Sequence, residues 1–281
     1  MQVRRKPGWL QKKVSPADHA EMDRLLGSLQ LNTVCREAAC PNISECFRQK
    51  QATFLVMGRA CTRSCRFCNV SADRPLPLDS GEPARVAEAV RQLALAHVVI
   101  TSPTRDDLAD GGAAHFAATV AAIRRVSPHT AIELLIPDLQ GSDGSLQLIL
   151  ASYPDILGHN IETVPRLYAI RAGADYERSL RLLQSAHEFA AAIPVKSGIM
   201  LGLGESDDEV LETIAAIRAT GCSYLSIGQY LAPSRRHHPV AAFIEPSEFD
   251  RYRDAALQLG FAHVESGPYV RSSYHAERYQ G

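Results

Sequence analysis

The stretch 52–68, ATFLVMGRACTRSCRFC, decides the fold. Residues 52–58 form an apolar run closed by Gly58, the signature of a strand buried on both faces. A polar loop follows at once and carries three cysteines, at 61, 65 and 68. A strand buried on both faces needs helices over it, and the chain downstream supplies them in alternation. Helical periodicity is expected at 83–96, 113–126, 146–152, 179–192, 206–219 and 246–259. Strands are expected at 97–101 (HVVIT), 131–136 (AIELLI), 155–158, 195–200 (VKSGIM), 224–227 and 261–265. Six βα units and a last strand predict an α/β fold with a parallel sheet and right-handed crossovers. No fingerprint glycine loop follows the first strand, so the prediction is a partial (β/α)6 TIM-type barrel rather than a dinucleotide fold.

Three segments result. Residues 1–51 form an N-terminal extension with a helix at 15–29 and a first group of cysteines. The barrel occupies 52–265, and 266–281 form a C-terminal tail. At 281 residues the chain buries enough surface to need no disulfide staple. Thirty Lys and Arg against 31 Asp and Glu leave a net charge of -1. That balance excludes a generally basic nucleic-acid binder. No apolar run reaches the ~20 residues of a membrane helix. The start, MQVRRKPGWLQKK, leads into no apolar core, so the expectation is a cytoplasmic chain without a secretory signal.

Six of the seven cysteines fall within 34 consecutive residues, which scattered core cysteines would not do. They form two triplets, CREAACPNISEC (Cys35, Cys40, Cys46) and CTRSCRFC (Cys61, Cys65, Cys68). Close spacing lets one loop turn several sulfurs to a common point, the geometry shared by zinc and iron–sulfur sites. Structural zinc takes four ligands, and neither triplet has a histidine nearby, so zinc is the second reading. Three thiolates on a four-iron cluster leave one position for a substrate, cofactor or distant side chain. Cys222, alone in TGCSYLSIG, reads as a small buried hydrophobe.

The loops that follow the strands are polar: TSPTRDDLADGG, PDLQG, HNIET, LGLGES and GQYLAPSRRHH. In a barrel of this kind they converge at the C-terminal mouth, where a polar cofactor would bind. Helix N-caps account for some of the Ser, Thr, Asp and Asn without any function. Residues 235–238 (RRHH) read as a solvated loop near a docking surface in preference to a metal patch. The basic Arg4, Arg5, Lys6, Lys12 and Lys13 suit either a solvated arm or a dock for an acidic carrier domain.

Cys61-x3-Cys65-x2-Cys68 after a first strand resembles the radical S-adenosylmethionine superfamily. Taken with TVCREAACPNISECF, TSPTRDDLADGGA, HNIETVPRLY, KSGIMLGLGE, IGQYLAPS and SGPYVRSSYHA, the chain from about 5 to 277 resembles the lipoyl synthase family. The resemblance implies a barrel of the radical enzymes' kind and a sulfurtransferase that inserts two sulfurs at C6 and C8 of a protein-bound octanoyl group. It implies two [4Fe–4S] clusters and S-adenosylmethionine. Cys61, Cys65 and Cys68 would hold the cluster that binds S-adenosylmethionine. Cys35, Cys40, Cys46 and Ser273 would hold an auxiliary, sacrificial one, and these four are the expected catalytic set. Asn160 and Glu162 are expected to contact the cofactor. Lys196, Gln229 and Glu205 match family positions at the mouth, and Arg105 and Asp106 match a loop expected to organise it.

Implied partners are octanoylated lipoyl-carrier domains, namely acyltransferase subunits of 2-oxoacid dehydrogenases and the glycine cleavage H protein. A low-potential electron donor such as flavodoxin or ferredoxin and an iron–sulfur cluster carrier complete the set, with no nucleic acid and no membrane. Two departures from the family pattern, SPTRDD at 102–107 and Phe47 after Cys46, touch no ligand position. Biotin synthase shares the second triplet but not C-x4-C-x5-C or RSSYHA. A two-cluster electron carrier would not need 200 residues of barrel, and a zinc-binding interaction protein would be colourless.

Overall fold

The computed structural model describes residues 5–12, 15, 19–49 and 51–274. Among these, one sheet runs in chain order: β1 (Asn32–Thr33), β2 (Thr53–Leu55), β3 (His97–Thr101), β4 (Ala131–Leu135), β5 (Ile156–Gly158), β6 (Val195–Leu201), β7 (Tyr224–Gln229) and β8 (His263–Gly267). β2 to β8 are parallel, as the alternation requires, and β1 adds antiparallel to β2. The sheet stays open between β1 and β8. The helices are α1 (Ala20–Ser28), α2 (Val34–Glu37), α3 (Ile43–Arg48), α4 (Glu82–Leu93), α5 (Ala113–Val126), α6 (Asp143–Leu150), α7 (Tyr176–Phe189), α8 (Asp207–Ala219) and α9 (Pro246–Gln258). α4 to α9 fill the crossovers. Local chemistry sets several of their starts. Ser206 and Glu209 close a capping box on α8, Asp175 caps α7, and proline opens α9.

The barrel core was legible in the apolar runs. Phe54, Ile100, Phe116, Ile123, Ile132, Leu134 and Ile214 are fully buried between sheet and helices. Cys222 joins them; burial pushes its thiol up to about 12, the inert state expected of a core cysteine. The differences lie at element ends. Of 52–58 only Thr53–Leu55 is strand, because Met57 (φ 66) and Gly58 (φ 87) turn left-handed and swing the chain into the cysteine loop. The first cysteine group, expected as a loop, is built on two short helices, α2 and α3. The helix expected at 15–29 forms as α1, and residues 16–18 lie outside the described residues.

The C-terminal tail shows that the open sheet curves into a partial barrel. A Cβ added to Gly228 on β7 would lie 2.2 Å from the Val270 carbonyl oxygen. Two residues on, the Ser272 hydroxyl accepts from Asn160 Nδ2 at 2.6 Å, just past β5. Next, Ser273 Oγ accepts from Thr53 Oγ1 of β2 at 2.6 Å. In a flat sheet β2 and β7 would stand about 24 Å apart at ~4.8 Å per strand. Residues 270–273 reach about 10 Å when extended. The strands must therefore curve towards the tail, which lies against the inner side of an open, partial barrel.

Candidate functional site

The second triplet follows the C-terminal end of β2 and the first lies beside its N-terminal end, with Asn69 Nδ2 donating to the Glu37 carbonyl at 2.7 Å between the two segments. At the C-terminal mouth the loop after β2 is fixed by its backbone. Cys61 N donates to Ser71 O at 2.7 Å, Thr62 N to Thr104 O at 3.0 Å and Arg66 N to Ile170 O at 2.7 Å. Arg63, between the first two cysteines, forks onto Asp106 (2.7 and 2.8 Å) and onto Asp138 (2.9 and 2.8 Å). Burial alone would raise the Asp138 carboxyl, but the Arg63 hydrogen bonds and charge outweigh it and hold the group well below the usual carboxylate range. Arg105 supports the same loop from below, pairing with Asp107 and donating to the Met57 carbonyl at 3.0 Å. Asp106 thus pairs with Arg63 of the cysteine loop, and Arg105 ties its own loop to the end of the first barrel strand.

Burial pushes the Cys65 thiol up to about 11 and Cys68 up to about 12, with Cys61 raising both and Cys65 adding to Cys68. Thiols that share a field in this way ionise together only when a cation group supplies the opposing charge, as iron does. Glu162 faces the same field. Burial raises its carboxyl, and its backbone is left-handed (φ 71), a conformation held by hydrogen bonds to Gly198 and Met200 of β6. Asn160 donates to Glu162 Oε1 at 3.1 Å, so the two expected cofactor contacts sit together at the mouth.

The loop at 235–238 departs from its reading. Arg235 and Arg236 are exposed, but His237 Nε2 meets the Cys68 carbonyl at 3.0 Å and His238 N donates to the Arg66 carbonyl at 2.7 Å. The histidines pack onto the cysteine loop instead of standing in solvent. Glu205 takes the amides of Gly202, Leu203 (2.9 Å) and Gly204 (3.0 Å), tying down the turn after β6.

Lys196 and Gln229 are not brought to the mouth cluster as free groups. Lys196 is the second residue of β6, near the opposite end of the strand, and donates to both Glu133 carboxylate oxygens at 2.9 and 3.1 Å. Gln229 is fully buried; Nε2 donates to the carbonyls of Leu201, Tyr230 and Ala242, and Oε1 accepts from Ile244 N. Its hydrogen-bonding capacity is spent on backbone.

At the N-terminal end of the barrel lies a cavity of about 320 Å³. Cys35 of α2, Cys40, Cys46 of α3, Arg271, Ser273 and Thr53 line it. Burial raises Cys35 to about 11 and Cys46 to about 12; Cys40 adds to both and Cys35 to Cys46. Three soft thiols and the Ser273 hydroxyl, with Thr53 beside it, thus surround a cavity rather than a point. Among the described residues, no three His, Cys, Asp or Glu are placed to hold a single metal ion. The donor set and the space between the donors fit an iron–sulfur cluster. The four residues expected from the sequence to serve as donors line one cavity; what the sequence did not show is which contacts carry them. Thr53 holds Ser273, and Lys12 binds Asn42 and Glu45 beside Cys46. The only signal for Lys12 was its charge, read as a solvated or docking arm. Arg5 and Lys6 are exposed, whereas Arg4 and Lys13 lie outside the described residues, as do the last residues of RSSYHA, His275 and Ala276.

The Radical SAM superfamily model matches residues 55–217. A lipoyl synthase from Geobacter metallireducens is 66% identical over 281 residues, covering 100% of this chain and 99% of that protein. One from Geotalea daltonii is 63% identical over 279 residues, covering 99% and 95%. Among solved structures, Streptococcus suis SuiB bound to S-adenosylmethionine is similar with a TM-score of 0.56 at 12% identity, over 94% of this chain and 59% of that one. That last likeness is one of fold. Full-length identity of this order, on a chain whose tail returns along the inner side of the barrel to its first cysteine group, leaves one conclusion: the chain belongs to the lipoyl synthase family of radical S-adenosylmethionine enzymes.

Proposed function

We propose that the chain inserts two sulfur atoms at C6 and C8 of a protein-bound octanoyl group, making the lipoyl cofactor on lipoyl-carrier domains. The observation that carries this is Ser273: a tail hydroxyl brought along the inner side of the barrel to a cavity already lined by three thiols. Cys61, Cys65 and Cys68 would hold the cluster that binds S-adenosylmethionine, and Cys35, Cys40, Cys46 and Ser273 the auxiliary one. When bound, these groups supply a low-potential electron, a radical able to take hydrogen from unactivated carbon, and the sulfur.

The protein's own work is to hold and shield them. Arg63, locked between Asp106 and Asp138, fixes the loop that presents the mouth thiols. Asn160 and Glu162 would orient the cofactor, Asn160 also touching the tail through Ser272. Lys196 and Gln229 we read as structural, since their polar groups are committed to Glu133 and to backbone. Thr53 donates its proton to Ser273 Oγ, which steers a lone pair of that oxygen without taking its role as a ligand.

The segments 1–51, 52–265 and 266–281 serve as extension, barrel and tail, with β1 of the first hydrogen-bonded to β2 of the second. Expected substrates are acyltransferase subunits of 2-oxoacid dehydrogenases and the glycine cleavage H protein, in the cytoplasm. Flavodoxin or ferredoxin would supply the electron, and a cluster carrier would restore the auxiliary site. No helix among the described residues is long and apolar enough to cross a membrane.

The test is mass spectrometry of an octanoyl-lysyl peptide incubated anaerobically with reconstituted protein, S-adenosylmethionine and a low-potential reductant. Gain of two sulfurs, with two 5′-deoxyadenosines formed per lipoyl group, is the expected result. Cofactor cleavage without sulfur in the peptide would contradict it.

A further inference from the structure

We propose that Lys12 is a positioning residue of the auxiliary site: it ties the C-terminal tail to the helix that carries Cys46 and so holds Ser273 at the cavity wall. This rests on the reading of Ser273 as the fourth ligand.

Lys12 follows a single 3-10 turn, Gly8–Leu10, whose Leu10 is buried, so the arm is anchored immediately before it. Its ammonium reaches Asn42 Oδ1 at 2.8 Å and Glu45 Oε2 at 2.5 Å, both on the segment that leads into Cys46. It also stands 5.0 Å from the Tyr269 ring centre and 5.7 Å from that of Tyr274. These tyrosines bracket residues 270–273. Two further contacts close the knot: Asn42 Nδ2 donates to the Tyr269 carbonyl at 2.7 Å, and the Tyr274 hydroxyl donates to Glu45 Oε1 at 3.3 Å. One compact cation therefore joins three segments far apart in sequence, with the ligand serine inside the loop it closes. Both side chains of the Lys12–Glu45 pair are only about a quarter exposed (25% and 24%). Such a pair is less screened than a surface one. A charge-assisted hydrogen bond and two aromatic faces act on the same group. The charge is thus turned inwards, away from a docking partner.

The test uses the full chain with Cys61, Cys65 and Cys68 replaced by alanine, so that only the auxiliary site takes iron. Each protein is reconstituted anaerobically, and release of iron to a coloured chelator is timed. Lys12→Met is expected to release iron about tenfold faster than the parent. Ser273→Ala should be at least as fast, and the double variant no faster than Ser273→Ala, because Lys12 acts through the serine. Lys12→Arg, which keeps the charge and the aromatic contacts, should stay within about threefold of the parent. Should Lys12→Met take up no iron, Lys12→Gln carries the same comparison. Parent-like release from Lys12→Met beside fast release from Ser273→Ala would overturn the positioning role and leave the ligand reading intact. Multiplying effects in the double variant would also overturn it. Parent-like release from Ser273→Ala would remove the ligand reading, and the positioning role with it.

Discussion

Lys196 gives the sharpest contrast between a residue's position in a motif and its place in the fold. Its ammonium and the Glu133 carboxylate are 2% and 0% exposed, with His97 Nε2 3.8 Å from the same carboxylate. Burial draws the Lys196 amine down, and the Glu133 charge and hydrogen bonds oppose that without fully offsetting it. Replacing lysine by methionine keeps the stem but strands a buried carboxylate. Breaking a buried pair from one side costs about 3–5 kcal/mol. At about 2–4 °C per kcal/mol for chains near this size, the melting temperature should fall by about 6–20 °C. Glu133→Met should cost a similar amount by stranding the amine. The double variant, Lys196→Met with Glu133→Met, should recover most of the loss because no charge is left buried alone. Urea titration of the four apoproteins, followed by far-UV circular dichroism, measures the cycle. S-adenosylmethionine affinity of the reconstituted proteins supplies the contrast. An unchanged urea midpoint for Lys196→Met together with lost S-adenosylmethionine binding would refute the structural role and return Lys196 to the mouth.

Three other outcomes follow from named contacts. An alkoxide is a harder donor than a thiolate and binds a soft cluster less well, so Ser273→Cys should retain auxiliary iron but slow sulfur insertion; wild-type turnover in that variant would remove the lability argument. Gly228→Ala would place a methyl 2.2 Å from the Val270 carbonyl, so the tail should be displaced and auxiliary iron lost while the mouth cluster stays; full iron content would show that the tail can shift without harm. His159, buried and held neutral by burial and by the Arg171 charge, has its imidazole drawn down from 6.5 to about 3. The unfolded chain therefore takes up a proton that the folded one refuses. Between pH 6.5 and about 3 this group should cost about 1.4 kcal/mol of stability per pH unit, with no effect above 6.5. His159→Gln should flatten that slope, and an unchanged slope would contradict the assignment.

How far the sequence could be read follows from the range of the interactions involved. Apolar runs such as 97–101 and 131–136 report a local periodicity, and β3 and β4 appear within a residue of them. The thiol triplets are also local patterns and carried most of the site. What escaped was set by partners far along the chain. β1 is two residues whose pairing with Phe54 and Leu55 has no periodic trace. Lys196 reads as a lone cation in VKSGIM, and only the curl of the sheet reveals Glu133, 63 residues away, as its partner. Gln229 looks available until the loop at 242–244 closes over it. In the same way Lys12 looks like part of a basic arm until α3 and the tail meet around it.

Counting iron and acid-labile sulfide per chain after anaerobic reconstitution tests the central claim most directly. The proteins to compare are the wild type, the Cys61/Cys65/Cys68→Ala variant and the Cys35/Cys40/Cys46→Ala variant. Two independent sites predict about eight irons in the wild type and about four in each variant. About four irons in the wild type, or zinc in their place, would contradict a dedicated sulfur-donating cluster and with it the proposed reaction.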